Sequence, residues 1–295
     1  MQKILSFIMA IVAFFMQLLG FGGKKNYVEF PDLAYGNDPN QVVDLVLPKS
    51  AGSTGLFVFI HGGSWIGGDE DDGKSAVTYC AQNLKLAAVS LNYRFLNENG
   101  TVHCREMLDD ITSGIQAAVN KAREQGLEVS CAAIGGVSAG AHLALLYSYM
   151  RYNECPVPIK FVFSEAGPTD FSDKAFADSC IGIDKTLLYR LLSELSGTTV
   201  TPENYETAVV QNTLRAISPV SYVNKNSVPT IMAYGEKDTV VTFKNATALH
   251  TALMNANVRN DFFRFPNSGH ELDADRDVRK AYEDKLLEYI RTYLF

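Results

Sequence analysis

Histidine and tryptophan are scarce in this 295-residue chain, at five and one, and the five cysteines (80, 104, 131, 155, 180) lie 24 to 27 residues apart. No C-x-x-C and no cysteine–histidine cluster is spelled, which excludes a zinc knuckle and a dithiol redox motif. An odd count leaves at least one thiol free. Buried reduced thiols are the simplest reading, with one or two bridges open to the chain if it is exported. Basic residues are also in deficit: 26 Lys and Arg against 33 Asp and Glu give a net charge of −7. No basic run exceeds Lys24-Lys25, so nucleic acid is not an expected partner. No internal repeat, low-complexity tract or Pro/Ser-rich linker appears. What is abundant is apolar surface, with 47% hydrophobic residues, 17 Phe and 14 Tyr against 20% charged. That excludes disorder and coiled coil and requires a packed interior.

The first 25 residues stand apart. Lys3 is followed by an apolar stretch, Ile4 to Phe21, broken only by Ser6 and Gln17 before its glycine end, and then by Gly22-Gly-Lys-Lys25. A positive start, an apolar run and small residues after it fit a secretory signal peptide. Read as an uncleaved anchor, residues 4–21 are just long enough to cross a bilayer and would tether the protein to a membrane. A soluble helix buried on the domain is the third reading. The expected location is therefore secreted or membrane-anchored.

From residue 27 to 295 the chain reads as one α/β domain, with short apolar runs alternating with longer amphipathic ones. Gln41–Leu47 alternates like an outer strand. The runs 56–60, 86–91, 132–134, 159–163 and 230–234 are near-continuous, as parallel strands covered on both faces require, and Phe262–Phe265 is the last strand. Helices are expected over 106–125, 139–150, 244–255 and 274–293. Residues 172–217 interrupt this rhythm and are expected to form a small helical cap insertion.

The sharpest local signal is Gly136-Val-Ser-Ala-Gly140 between a strand and a small-residue helix, the context in which a G-x-S-x-G presents a nucleophile on a tight turn. A serine hydroxyl needs a base to take its proton and a carboxylate to orient that base. His61 lies in a Gly-rich loop, His103 precedes a helix, and His142 and His250 fall inside helices where packing or solvent contact explains them. His270, in Asn267-Ser-Gly-His-Glu after the final strand, is the base. Among the acids between Ser138 and His270 (Asp170, Asp173, Asp178, Asp184, Glu194, Glu236, Asp238, Asp261), Asp238 has the best position, at the end of the penultimate strand, with Asp170 the runner-up. His61-Gly-Gly-Ser-Trp65, after strand 56–60, can aim backbone N–H groups of Gly63 and Ser64 at an oxyanion, with that of Ala139 as a third. Trp65 is expected to line the site or to serve the core. Asp69-Glu-Asp-Asp72 reads as a solvated acidic turn, and neither a metal nor a cofactor is expected.

H-G-G-S-W, G-V-S-A-G, G-E-K-D and S-G-H, in that order, resemble the α/β-hydrolase superfamily, in its HGG-type esterase/lipase branch of hormone-sensitive-lipase-like and acetyl-esterase-like carboxylesterases. Where that branch often has a third glycine, this chain has Ser64. The resemblance spans residues 27–295. It implies a mostly parallel eight-stranded sheet with helices on both faces, catalysis by Ser138, His270 and Asp238, and an oxyanion hole in the HGG loop. It further implies a small-molecule or polysaccharide-linked ester as substrate, such as acetyl or feruloyl groups on plant polysaccharide. A serine exopeptidase of the same fold and a membrane-tethered binding module are the alternatives.

Overall fold

A computed structural model describes residues 25–50, 52–97 and 99–295. The expected signal or anchor segment, with its apolar run at 4–21, lies outside the described residues. Among the described residues no helix is long and apolar enough to cross a membrane.

Eight strands form one sheet: β1 (Tyr27–Ala34), β2 (Val42–Pro48), β3 (Gly55–Ile60), β4 (Ala87–Leu91), β5 (Cys131–Val137), β6 (Ile159–Glu165), β7 (Thr230–Gly235) and β8 (Asn260–Phe265). Their spatial order is β1-β2-β4-β3-β5-β6-β7-β8. The β1/β2 and β2/β4 pairs are antiparallel and every other pair is parallel. The sheet is thus mostly parallel, and the central strands β3, β4 and β5 are buried along their whole length. Successive residues of one strand serve opposite faces, as the two-residue period requires. On β3, Leu56, Val58 and Ile60 join one apolar cluster, whereas Phe57 and Phe59 join the other.

Helices α1 (Lys74–Tyr79), α2 (Cys104–Glu124), α3 (Ala139–Met150), α4 (Lys174–Ser179), α5 (Lys185–Ser196), α6 (Ala208–Ala216), α7 (Lys244–Asn255) and α8 (Arg276–Tyr293) follow. The buried stripes of α2, α3 and α7 pack on one face, and those of α1 and α8 on the other. Helix α2 begins two residues before the expected 106 because His103 caps it: Glu106 Oε2 accepts the His103 N–H at 2.9 Å, a reciprocal cap that satisfies orphan donors. Helices α4, α5 and α6 occupy the expected insertion.

Two elements were not legible. β1 alternates poorly, is mostly exposed and contains Pro31 within a bulge between Phe30 and Leu33, features an edge strand tolerates. Helix α1 is only six residues long. The acidic turn 69–72 needs a correction. Asp69 and Asp71 are exposed, but Glu70 is buried, because Asp69 caps the turn that follows and rotates the next side chain inward. The five cysteines form no disulfide, and all but Cys155 are buried.

Candidate active site

The C-terminal ends of the parallel strands bring three distant segments together. β5 runs directly into Ser138, which starts α3 with φ 51° and ψ −120°, a left-handed conformation that a residue with a Cβ adopts only under constraint. The flanking glycines make the turn possible. A Cβ on Gly136 would lie 2.1 Å from the Ile60 carbonyl oxygen, and one on Gly140 would lie 2.2 Å from the same atom. Only hydrogen fits between the turn and the end of β3.

Asp238 lies three residues past β7 and His270 five residues past β8. The Ser138 Oγ is 3.0 Å from His270 Nε2, and His270 Nδ1 is 2.7 Å from Asp238 Oδ2. An ionised carboxylate only accepts, so Nδ1–H donates to Asp238 and Nε2 accepts from the serine hydroxyl. The other carboxylate oxygen, Oδ1, accepts the N–H groups of Val240 and Val241 at 2.8 and 2.9 Å. With its side chain fully buried and three hydrogen bonds fixing it, Asp238 cannot rotate away from the imidazole. Asp170 is spent elsewhere, accepting from Ser172 in a local turn.

Both sides of this relay are tied to α8. Asp275 at its start accepts from the Asn267 N–H (2.9 Å) and the Ser268 hydroxyl (2.6 Å), closing the loop that carries His270. Arg279 donates to Glu165 Oε2 at 2.7 Å and to the Leu272 carbonyl at 3.3 Å, two residues beyond His270. The Glu165 carbonyl in turn accepts the Ser138 N–H at 2.8 Å. One guanidinium therefore links the histidine loop to the strand beside the serine.

The Gly-rich loop after β3 faces Ser138. Gly63, Ser64 and Trp65 all have positive φ (110°, 55° and 61°), a stretch of left-handed backbone that residues with a Cβ adopt only under constraint. Gly63 and Ser64 line the same cleft as Ser138 and His270. Unlike the Ser138 N–H, those of Gly63, Ser64 and Ala139 donate no hydrogen bond among the described residues. The loop is held from below by His61, which stacks on Tyr93 and sits between the Gly62 carbonyl (2.6 Å) and the Asn92 side chain (2.8 Å). Burial pushes the His61 pKa down, and its hydrogen bonds to Gly62 and Asn92 push the other way.

The remaining histidines are structural. His142 accepts the Trp65 indole N–H at 3.2 Å and donates to the Ile217 carbonyl at 2.8 Å, and burial lowers it to about 4. His250 bonds Asn260 and His103 bonds the Glu194 carbonyl. Trp65 does both things expected of it: it is buried, and its ring borders a small cavity beside Ser138.

Space around the serine is divided unequally. One side is a cavity of about 20 Å³ walled by Trp65, Phe171, Phe176, Leu188, Leu191 and Leu192. The other is an open cleft of about 490 Å³ whose rim carries Asp184, Lys237, Thr239 and Glu271. The aromatic and leucine wall was not foreseen at residue level; its signal is the spacing of Leu187, Leu188, Leu191, Leu192 and Leu195 along α5. The arrangement can transfer a proton from a hydroxyl to an imidazole and hold a developing oxyanion, which are the demands of acyl transfer.

Residues 43–253 match the BD-FAE family. The chain belongs to the BD-FAE family. The matched span contains Ser138 and Asp238 and stops short of His270. Among relatives of this BD-FAE chain, esterase LipC of Mycobacterium tuberculosis is 23% identical over 273 residues, 84% of this chain and 61% of LipC. The chain spans smaller shares still of the other curated relatives it matches. Two solved structures share its architecture. A truncated carbohydrate esterase from gut microbiota superposes with TM-score 0.71 at 17% identity, over 90% of this chain and 98% of that one. Esterase B from Lactobacillus rhamnosis gives 0.70 at 17%, over 97% and 96%. The fold is that of the α/β hydrolases.

Proposed function

We propose that this BD-FAE chain is a serine carboxylic-ester hydrolase that removes short acyl groups, acetyl foremost, from a polyhydroxylated alcohol. The observation that carries the reading is the continuous relay of Ser138, His270 and Asp238, at 3.0 and 2.7 Å, at the mouth of a divided cleft. Relatives named as esterases support it.

In the proposed reaction the Ser138 Oγ forms a bond to the ester carbonyl carbon while its proton passes to His270 Nε2. The carbonyl π electrons move onto oxygen, where the N–H groups of Gly63, Ser64 and Ala139 receive them. Asp238 stabilises the imidazolium through Nδ1–H. Collapse breaks the bond to the alcohol oxygen, which leaves with the proton from His270. Water then attacks the acyl-serine by the same route, restoring the serine and releasing the acid.

The cavity of about 20 Å³ holds little more than one water-sized group. A methyl fits it and a cinnamoyl ring does not, which favours acetyl over feruloyl. The charged and hydroxyl-bearing rim of the larger cleft suits an alcohol rich in hydroxyls, such as a sugar, and the carbohydrate esterase of like fold accords with that. Export or tethering through residues 4–21 would bring the enzyme to such a substrate outside the cytoplasm, and sequencing the mature N-terminus tests it.

Ser138→Ala assayed on p-nitrophenyl acetate is the deciding experiment. Loss of a triad nucleophile costs about 10⁴–10⁶ in kcat, so a fall of only a few fold sinks the assignment. Turnover of aminoacyl-naphthylamides in preference to esters would replace it with a peptidase.

A further inference from the structure

Outside the lining of the catalytic cleft, at the β1/β2 edge of the sheet, three carboxylates converge. One oxygen each from Asp32, Asp44 and Glu70 lie within 4.8 Å of one another. Asp44, on β2, and Glu70, in the turn after the Gly-rich loop, are only 7% and 6% exposed. Asp32 is brought over them by the bulge in β1, where its own N–H donates to Asp44 Oδ1 at 3.0 Å. Lys74 lines one hollow with Asp44, but its ammonium bonds the exposed Asp71 at 2.7 Å. Converging carboxylates without an intervening cation repel one another, and burial deepens the cost.

Two buried oxygens lack partners, one on a carboxylate of the cluster and one on a serine outside it. Glu70 Oε2 accepts no hydrogen bond among the described residues, and neither does the hydroxyl of Ser90. Ser90 is fully buried and is the cross-strand neighbour of Asp44. Its Oγ faces the turn that carries Glu70: a Cβ built on Gly73, the last residue of that turn, would lie 2.3 Å from it. Buried polar atoms are rarely left in this state. A hollow of about 110 Å³ bordered by Glu29, Phe30, Asp44 and Lys74 opens on one side of Asp44, and neither Asp32 nor Glu70 lines it.

We propose that Asp32, Asp44 and Glu70 bind one divalent cation of calcium's size, which fastens the edge hairpin of the sheet to the turn that follows the Gly-rich loop. All the donors are hard oxygens, and no histidine or cysteine belongs to the group, which favours calcium or magnesium over zinc. Calcium coordinates oxygens at about 2.3–2.6 Å in flexible geometry and accepts three carboxylates with water completing the shell. The charges neutralised are those of the protein, so the ion's role is structural and separate from ester hydrolysis.

The full chain, stripped with EDTA and desalted, is melted at pH 7.5 with calcium chloride or magnesium chloride added alone. Calcium is expected to raise Tm by about 5 °C or more at saturation, by binding only the folded state, with magnesium weaker. Elemental analysis after gel filtration in calcium should find one calcium per chain. Glu70→Gln and Asp44→Asn are expected to lose both the Tm response and the bound ion, and Glu70→Lys to melt above the stripped protein without responding to calcium. A wild-type Tm indifferent to both ions overturns the proposal. So does a calcium response of equal size in Glu70→Gln, which marks non-specific binding. If both acid variants fail to fold, the stoichiometry on the wild-type chain still decides: no bound calcium rejects the site. Ester turnover is unchanged between stripped and calcium-loaded protein at a temperature where both are folded, so this result stands or falls apart from the catalytic reading.

Discussion

The short supply of histidine makes each ring accountable, and His142 shows how one can matter without touching substrate. Its two hydrogen bonds, from the Trp65 indole and to the Ile217 carbonyl, require the neutral ring. Burial holds its pKa at about 4, against 6.5 for an exposed ring. A folded pKa below the unfolded one means that the unfolded chain binds the proton more readily. Its contribution to stability is therefore complete above about pH 6.5 and is lost as pH falls toward 4, by an amount on the order of 3 kcal/mol. His142→Gln removes the titration, so the stability gap between wild type and variant, measured by urea unfolding, should narrow steadily from pH 7 to pH 4.5. A gap independent of pH would show that the ring does not titrate as its burial demands. Sequence reading reached His142 only as a packing or solvent-facing residue, because its partners come from residues 65 and 217 and no local pattern connects them.

Among the elements, α5 supplies Leu188, Leu191 and Leu192 to the wall of the small cavity. Its leucine stripe packs inward over Ser138, and Leu191 borders both the cavity of about 20 Å³ and the wider cleft. Leu191→Ala should join the two spaces and raise kcat/KM for butyryl relative to acetyl esters by roughly tenfold, the order of discrimination one or two methylenes provide. Truncating a buried leucine also costs about 2–5 kcal/mol, so the acyl-chain profile is to be read well below the variant's Tm. An unchanged ratio would mean that the acyl group binds in the larger cleft. The helices between β6 and β7 were legible as an interruption of the strand–helix rhythm, and α3 and α7 were legible to the residue. The edge strand β1 and the short helix α1 were not: an exposed strand has no buried face to impose alternation, and six residues hold too few turns to show a period.

Across the whole molecule, the site is assembled from chain segments more than 200 residues apart, from Gly63 to His270, and the parallel sheet is what makes that distance irrelevant. Each motif followed an apolar run that became a strand, so their order predicted one shared edge before any contact was known. What sequence alone could not show was the support behind the motifs: Asp275 closing the histidine loop, Arg279 joining it to Glu165, and Val240 and Val241 pinning Asp238. The first two depend on which helix starts beside which loop, and α8 lies beyond the residues that match the family.

The left-handed backbone of Ser138 also sets a global quantity. A strained non-glycine residue at this φ and ψ withholds about 1–3 kcal/mol from the folding equilibrium of the entire domain, and that deficit persists whether or not substrate is present. Ser138→Ala keeps the Cβ and therefore the deficit. Ser138→Gly removes both the hydroxyl and the steric conflict, so it should be inactive yet melt several degrees above Ser138→Ala. Equal melting temperatures would show that the turn is relaxed. With Ser138 as the proposed nucleophile, its turn is a standing compromise between endurance and reactivity: the variant relieved of the strain is one that has given up the hydroxyl.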